Sequence, residues 1–169
     1  MYLAPSEEEK QENPNWLSEQ AEALLSGQAD LVANAANLSS LLYHSLEDVN
    51  WAGFYFLKGG RLVVGPFQGR PACVEIPLGK GVCGIAAQTR AVQRVADVHA
   101  FDGHISCDAA TRSEIVLPLV RNGELIGVLD VDSPTASRFA DSDRAGLEAL
   151  CRVFLQVVAE NGVRTPGFI

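Results

Sequence analysis

The segment EIVLPLVRNGELIGVLDVD, residues 114–132, constrains this chain more than any other stretch. Two apolar, β-branched runs flank Asn122-Gly123, a pair that accepts left-handed backbone and so closes a tight turn. The segment predicts an antiparallel hairpin with strands over 114–120 and 124–132. Side chains alternate between the faces of a strand. On that rule Ile126, Val128, Asp130 and Asp132 point one way, and Leu125, Gly127, Leu129 and Val131 the other. Two carboxylates on one face of an apolar strand need a reason, because burying one without a partner costs roughly several kcal/mol. Either the strand emerges into solvent before Ser133-Pro134, or the acids line a pocket that binds an ammonium group or supplies protons.

The remaining pattern agrees with a meander of strands between helices. NWAGFYFL (50–57) and RLVVGPF (61–67) pair across a Gly59-Gly60 turn. Asn13-Pro14 is expected to cap a helix that runs through Leu24 and ends at Gly27. A second helix follows from Asp30, with Leu31, Ala35, Leu38, Leu42 and Leu46 on one face. Residues 79–90 contain a short helix from near Val82, Ala91–Val95 a further strand, and residues 96–114 a long irregular loop. A last helix from Asp141 or Ser142 buries Leu147, Leu150, Phe154 and Val157. The fold class is α+β: one domain with a central antiparallel sheet, terminal helices on one face, and a ligand pocket under loops on the other.

With 169 residues, 47% apolar and 20% charged, the chain can bury a core of its own and is not a disordered polymer. Its net charge of −8 argues against a surface that tracks nucleic-acid phosphates. The acidic N-terminus lacks the apolar centre of a secretory signal, and no run reaches membrane-spanning length. We therefore expect a cytoplasmic protein without membrane partners, whose thiols stay reduced unless they cycle.

Four cysteines are present and none forms a CxxC pair. Cys151 falls on the buried face of the last helix and reads as core. Cys83, in GKGVCG, is equally a helix start or a small buried residue, whereas Cys73 and Cys107 sit in polar loops. Three chemistries could use them. Cys73, Cys83, His99, His104 and Cys107 offer zinc donors, but unpaired spacing speaks against a structural metal. A Cys-His pair could transfer acyl groups. A thiol could also attack, be oxidised and be resolved by a second thiol, and two loop cysteines without a zinc pattern favour that option. On the first strand Trp51, Gly53 and Tyr55 share a face, either as packed aromatic core or as a box with space at the glycine for a small ligand.

Taken in order, NWAGFYFL, VGPFQGRPACVEIPLGKGVCG, DVHAFDGHISCDAATRSEIVLPL and GELIGVLDVDSP resemble the free methionine-(R)-sulfoxide reductase family, which is built on a GAF domain. The resemblance implies an acidic tail over 1–13, the GAF domain over 14–162 and a C-terminal tail over 163–169. It assigns Cys107 as nucleophile, Cys73 as resolving cysteine and Cys83 as a third thiol able to join disulfide exchange. Trp51, Tyr55, Glu114, Asp130 and Asp132 match the substrate pocket, with Glu114 or Asp132 also handling the sulfoxide oxygen. The implied reaction reduces free methionine-(R)-sulfoxide through a cysteine sulfenic acid and an intramolecular disulfide. No bound cofactor or metal is implied; thioredoxin, and ultimately NADPH, restores the thiols, and the protein is expected to be a homodimer. The competing expectations are a GAF sensor module that binds a small molecule without catalysis, and a peroxide-sensing thiol switch.

Overall fold

Asn122 and Gly123 both adopt left-handed backbone, with φ of 51° and 79°, and they join β5 (Ser113–Arg121) to β6 (Glu124–Ser133) as the sequence requires. Gly59 and Gly60, at φ 56° and 79°, do the same for β1 (Trp51–Lys58) and β2 (Arg61–Gly69). In this computed structural model, which describes residues 5–103 and 108–160, two shorter strands complete the sheet. They are β3 (Glu75–Pro77) and β4 (Gln93–Val95), and the order is β3-β2-β1-β6-β5-β4. Every pairing is antiparallel. The sequence reading missed β3, because a strand of three residues that ends in Pro77 carries no usable alternation.

The helices are α1 (Glu7–Glu12), α2 (Trp16–Leu25), α3 (Leu31–Ser45), α4 (Gly81–Thr89) and α5 (Asp141–Glu160). Helices α2, α3 and α5 cover one face, where Leu25, Leu38, Leu42, Leu147, Leu150 and Phe154 meet Phe54, Leu117, Leu129 and Val131. Cys151 lies in this core as expected. Val157 is only partly buried, and its neighbour Val158 takes the core position instead. The opposite face carries a second cluster, in which Val82, Cys83, Ala86 and Ala87 of α4 pack on Tyr55, Val116 and Val128. Among the described residues no helix is long and apolar enough to cross a membrane.

Three expectations change. Residues 7–12 form a helix rather than a plain tail: the Ser6 hydroxyl accepts from the Glu9 N–H, and the Glu9 carboxylate accepts from the Ser6 N–H. Helix α2 starts at Trp16, not at Pro14, because the Asn13 side chain turns the chain early by accepting from the Asn15 N–H at 2.9 Å. The strict alternation in β6 also fails near the hairpin. Leu119 pairs with Gly127 but Val120 pairs with Leu125, so Ile126 is the extra residue of a β-bulge. Ile126 therefore packs with the helix-side core and Leu125 with the opposite cluster, while Val128 and Asp130 keep their expected side.

Gly127 is required at the start of the regular part of β6. A Cβ there would lie 2.1 Å from the Tyr55 carbonyl oxygen and 3.0 Å from the Phe56 Cα, both backbone atoms that no rotamer change can move. Gly127→Ala is expected to lower stability by about 1–3 kcal/mol, the usual range for overpacking a core. Chemical denaturation should report it as a lower midpoint at unchanged slope; an unchanged midpoint would mean that the two strands separate freely at this point.

Candidate active site

The site is assembled by register. Trp51 of β1 pairs with Asp132 of β6, and Asp132 pairs in turn with Glu114 of β5. One step along, Asp130 lies between Gly53 and Val116. Because side chains in register share a face, three adjacent strands deliver an indole and three carboxyl groups to one place. Trp51, Tyr55, Glu114, Asp130 and Asp132 all line one pocket. Helix α4 closes one side with Gly81, Val82 and Cys83, and loop residues Arg70, Pro71, Ala72, Asp108 and Thr111 form the rim.

The aromatic residues of β1 build the wall and fix the loop above it. The Trp51 ring stacks on Tyr55 with centroids 5.8 Å apart and on Phe67 of β2 at 5.2 Å. Gly53 does not open space for a ligand, as one reading of the sequence allowed. A Cβ at Gly53 would lie 2.3 Å from the Phe67 Cβ and 2.7 Å from the Trp51 ring, so the glycine admits this stack. The Trp51 indole N–H donates to the Arg70 carbonyl at 3.1 Å, and the Tyr55 hydroxyl donates to the Cys73 carbonyl at 3.2 Å. Both polar ends of the wall thus hold the 70–73 loop. Burial and the surrounding negative charges push the Tyr55 phenol far up, so it serves as a neutral donor.

Glu114 and Asp130 are buried, at 6% exposure each, and hydrogen-bond to one another. Two carboxyl groups in such contact must share a proton. Burial first, and then the charges of Asp130 and Asp132, raise the Glu114 carboxyl well above its ordinary range. Burial also raises Asp130, to about 7, against the lowering effect of hydrogen bonds from Cys83 and Glu114. Asp132 is raised by burial and by the charges of Asp130 and Asp108. One oxygen of Asp130 and one of Asp132 are buried with no hydrogen-bond partner. A site of this kind holds protons at neutral pH and attracts a cationic group.

The thiols divide in an equally clear way. Cys83, in the first turn of α4, is buried, and its Sγ donates to Asp130 Oδ2 at 3.3 Å and lies 4.0 Å from Glu114 Oε1. Burial and those acids push the thiol up, so it is a weak nucleophile. Cys151 is a free thiol in the helix-side core, raised to about 12 by burial and by Glu148. Cys73 is disulfide-bonded. Cys107 and His104 lie outside the described residues. His99, a zinc candidate by sequence, is exposed on a short 3-10 turn at Val98–Ala100 and does not join the acid cluster.

Sequence reasoning overlooked part of the rim. Asp108 is held by Asn50 Nδ2 at 3.3 Å and by Arg70 at 3.5 Å, and Asn50 also donates to Thr111 Oγ1 at 3.2 Å. These groups pin the loop that precedes β5 against Asn50, the residue just before β1. Their only signal in the sequence was polarity next to strand ends, which every surface loop shares. The helix start near Val82 was expected, but not its place in the pocket: the first turn of α4 has no side-chain cap, and Gly81 and Val82 line the pocket. Uncapped helix N–H groups are ready partners for a carboxylate.

The comparisons with known proteins accord with this geometry. A GAF domain model matches residues 20–158. The free methionine-R-sulfoxide reductase of Escherichia coli is 56% identical over 137 residues, covering 81% of this chain and 83% of the relative. Among solved structures, a protein of Burkholderia vietnamiensis, named for a GAF sensor, is 64% identical with a TM-score of 0.85, over 90% of this chain and 97% of that one. The free methionine-R-sulfoxide reductase of Neisseria meningitidis, in complex with its substrate, is 35% identical with a TM-score of 0.87, over 95% and 96% of the two chains. A pocket of shared-proton carboxyls under an aromatic wall, on a sheet that follows these relatives almost end to end, places the chain in the free methionine-R-sulfoxide reductase family of GAF-domain proteins.

Proposed function

We propose that this chain reduces free methionine-(R)-sulfoxide to methionine. The observation that carries the reading is the convergence of Trp51, Glu114, Asp130 and Asp132 on one pocket beneath the loop that bears Cys73. A free amino acid has a charged group at each end of its backbone. The acid cluster suits the ammonium, the uncapped start of α4 suits the carboxylate, and the Trp51 face suits the methyl group on sulfur. A residue within a peptide has neither charge, which accounts for selection of the free amino acid.

The chemistry follows from what the site holds. A sulfoxide sulfur is a poor electrophile until its oxygen is hydrogen-bonded or protonated. Glu114, protonated by burial beside Asp130, is the donor in this scheme. The Cys107 sulfur attacks the substrate sulfur, the oxygen passes to Cys107, and methionine leaves as Cys107 becomes a sulfenic acid. The Cys73 thiol then displaces water from that sulfenic acid and forms a disulfide, which an external dithiol of the thioredoxin type reduces. Cys73 is disulfide-bonded while Cys83 and Cys151 are free thiols, which supports Cys73 over Cys83 as resolving thiol. Thioredoxin as reductant, assembly as a homodimer and a cytoplasmic location belong to the same proposal and stand on the family resemblance.

The deciding experiment is a thioredoxin- and NADPH-coupled assay with the separate R and S epimers of free methionine sulfoxide. Turnover of the R epimer is expected; no turnover of either by the reduced protein would leave a ligand-binding sensor as the reading. Cys107→Ser should abolish even the first methionine, whereas Cys73→Ser should release one methionine per chain and then stop. Sustained turnover by Cys73→Ser would move resolution to Cys83. Glu114→Gln should slow the single-turnover rate by about 10²–10⁴-fold, the usual worth of a placed general acid, with a smaller effect on substrate affinity. Equal losses in rate and affinity would make Glu114 a binding residue only.

A further inference from the structure

Asn50, the residue just before β1, has a side chain to which the proposed reaction gives no role. Its backbone N–H donates to the Asp132 carbonyl at 3.0 Å, so the residue extends the pairing of β1 with β6. Its amide nitrogen donates twice, to Asp108 Oδ2 at 3.3 Å and to Thr111 Oγ1 at 3.2 Å. We infer that Asn50 is a positioning residue, which clamps the Asp108–Thr111 turn to the sheet and so fixes the chain next to the attacking Cys107. What the clamp serves rests on the proposed function; the clamp itself does not.

The turn is built to be held at this point. Within it the Ala110 N–H donates to Asp108 Oδ1 at 2.9 Å, and the Thr111 N–H donates to the Asp108 carbonyl at 3.3 Å. Asp108 and Thr111 are therefore parts of one unit. After the turn, the Arg112 N–H donates to the Ser133 carbonyl at 2.8 Å and the Arg112 carbonyl accepts from the Val98 N–H at 2.9 Å. Cys107 stands five residues before that backbone anchor but only one before Asp108. Five residues of chain span up to about 17 Å and one residue about 3.5 Å. The Asn50 amide is what shortens the tether. Arg70, which also pairs with Asp108, is a poor substitute: it lies at 3.5 Å and its side chain is 74% exposed.

The orientation of the amide shows that its donor is what counts. An ionised carboxylate only accepts, so Nδ2 faces Asp108 and Oδ1 is turned away. That Oδ1 is buried and has no hydrogen-bond partner. A buried orphan acceptor destabilises the fold, so stability alone does not explain an asparagine here. Water is a weak rival for the same two acceptors, because Thr111 is buried and the Asp108 side chain is only 11% exposed.

The test exchanges donor and acceptor. In Asn50→Asp two carboxylates face each other and the clamp is lost. When Asp108→Asn is added, the amide at position 108 keeps its oxygen for the Ala110 N–H and turns its nitrogen to the new carboxylate. Single-turnover release of methionine should fall about 10²-fold in Asn50→Asp, as expected for reacting groups misplaced by about an ångström, and the double variant should regain most of that rate. Asn50→Ala, which removes the donor without adding charge, should lose about 10-fold by the same reasoning. Substrate affinity should change little, because Trp51, Glu114 and Asp130 stay in register on the sheet. A wild-type rate in Asn50→Ala, a double variant no faster than Asn50→Asp, or a loss that lies wholly in KM overturns the inference. Amide hydrogen exchange at Ala110 and Thr111 reads the clamp without turnover. Exchange should be faster in both single variants at position 50 and should return to the wild-type rate in the double variant. Unchanged exchange in Asn50→Ala overturns the clamp. Faster exchange there, in a protein whose wild type turns over neither epimer, keeps the clamp and rejects the reductase reading.

Discussion

The pairing of β6 with both of its neighbours is the interaction on which the rest depends. Register along β1, β6 and β5 sets Trp51, Asp132 and Glu114 side by side, and Asp130 one step away. A slip of one residue in β6 would turn Asp130 and Asp132 into the apolar face packed by α5 and would bring Leu129 and Val131 to the pocket. The penalty for burying two carboxylates against leucine and phenylalanine makes that alternative inaccessible. The apolar face therefore holds the acids in place, and the active-site geometry follows from the core.

The same arrangement creates an electrostatic problem that the site turns to use. Three carboxyl groups and a buried thiol line one pocket, and among the described residues the cation on its rim is a solvent-exposed arginine engaged with Asp108. Such a cluster cannot carry its full charge. It keeps protons, as burial and mutual repulsion raise the carboxyls and the thiol. In the proposed scheme the same cluster donates a proton to the sulfoxide oxygen and attracts the ammonium group.

Rigidity is distributed unevenly around the pocket. Its floor is sheet, with glycines at positions 53 and 127 that bring backbones and rings into close contact. Its rim is loop, tied down at named points: the Trp51 and Tyr55 side chains hold residues 70 and 73, and Asn50 holds Asp108 and Thr111. Residues that touch the substrate in the proposed scheme thus also position the loop that carries Cys73. Aromatic side chains with one polar end are suited to this double duty, since the ring packs while the N–H or O–H reaches a carbonyl.

Local chemistry determined much of this on its own. The Asn122-Gly123 and Gly59-Gly60 turns, the helical face from Leu31 to Leu42, the core position of Cys151 and the shared face of Asp130 and Asp132 follow from backbone preferences and periodicity, which act over a few residues. The family resemblance pointed to the pocket residues, but not to how they meet. Tertiary structure alone decided that Glu114 stands beside Asp132, that Cys83 addresses Asp130 rather than a second thiol, and that Gly53 serves the Phe67 stack rather than a cavity. It also decided the bulge at Ile126 that reverses the end of β6. Each of these is a contact between residues distant in the chain, set by strand register and by which surfaces must leave water, and no local pattern encodes that.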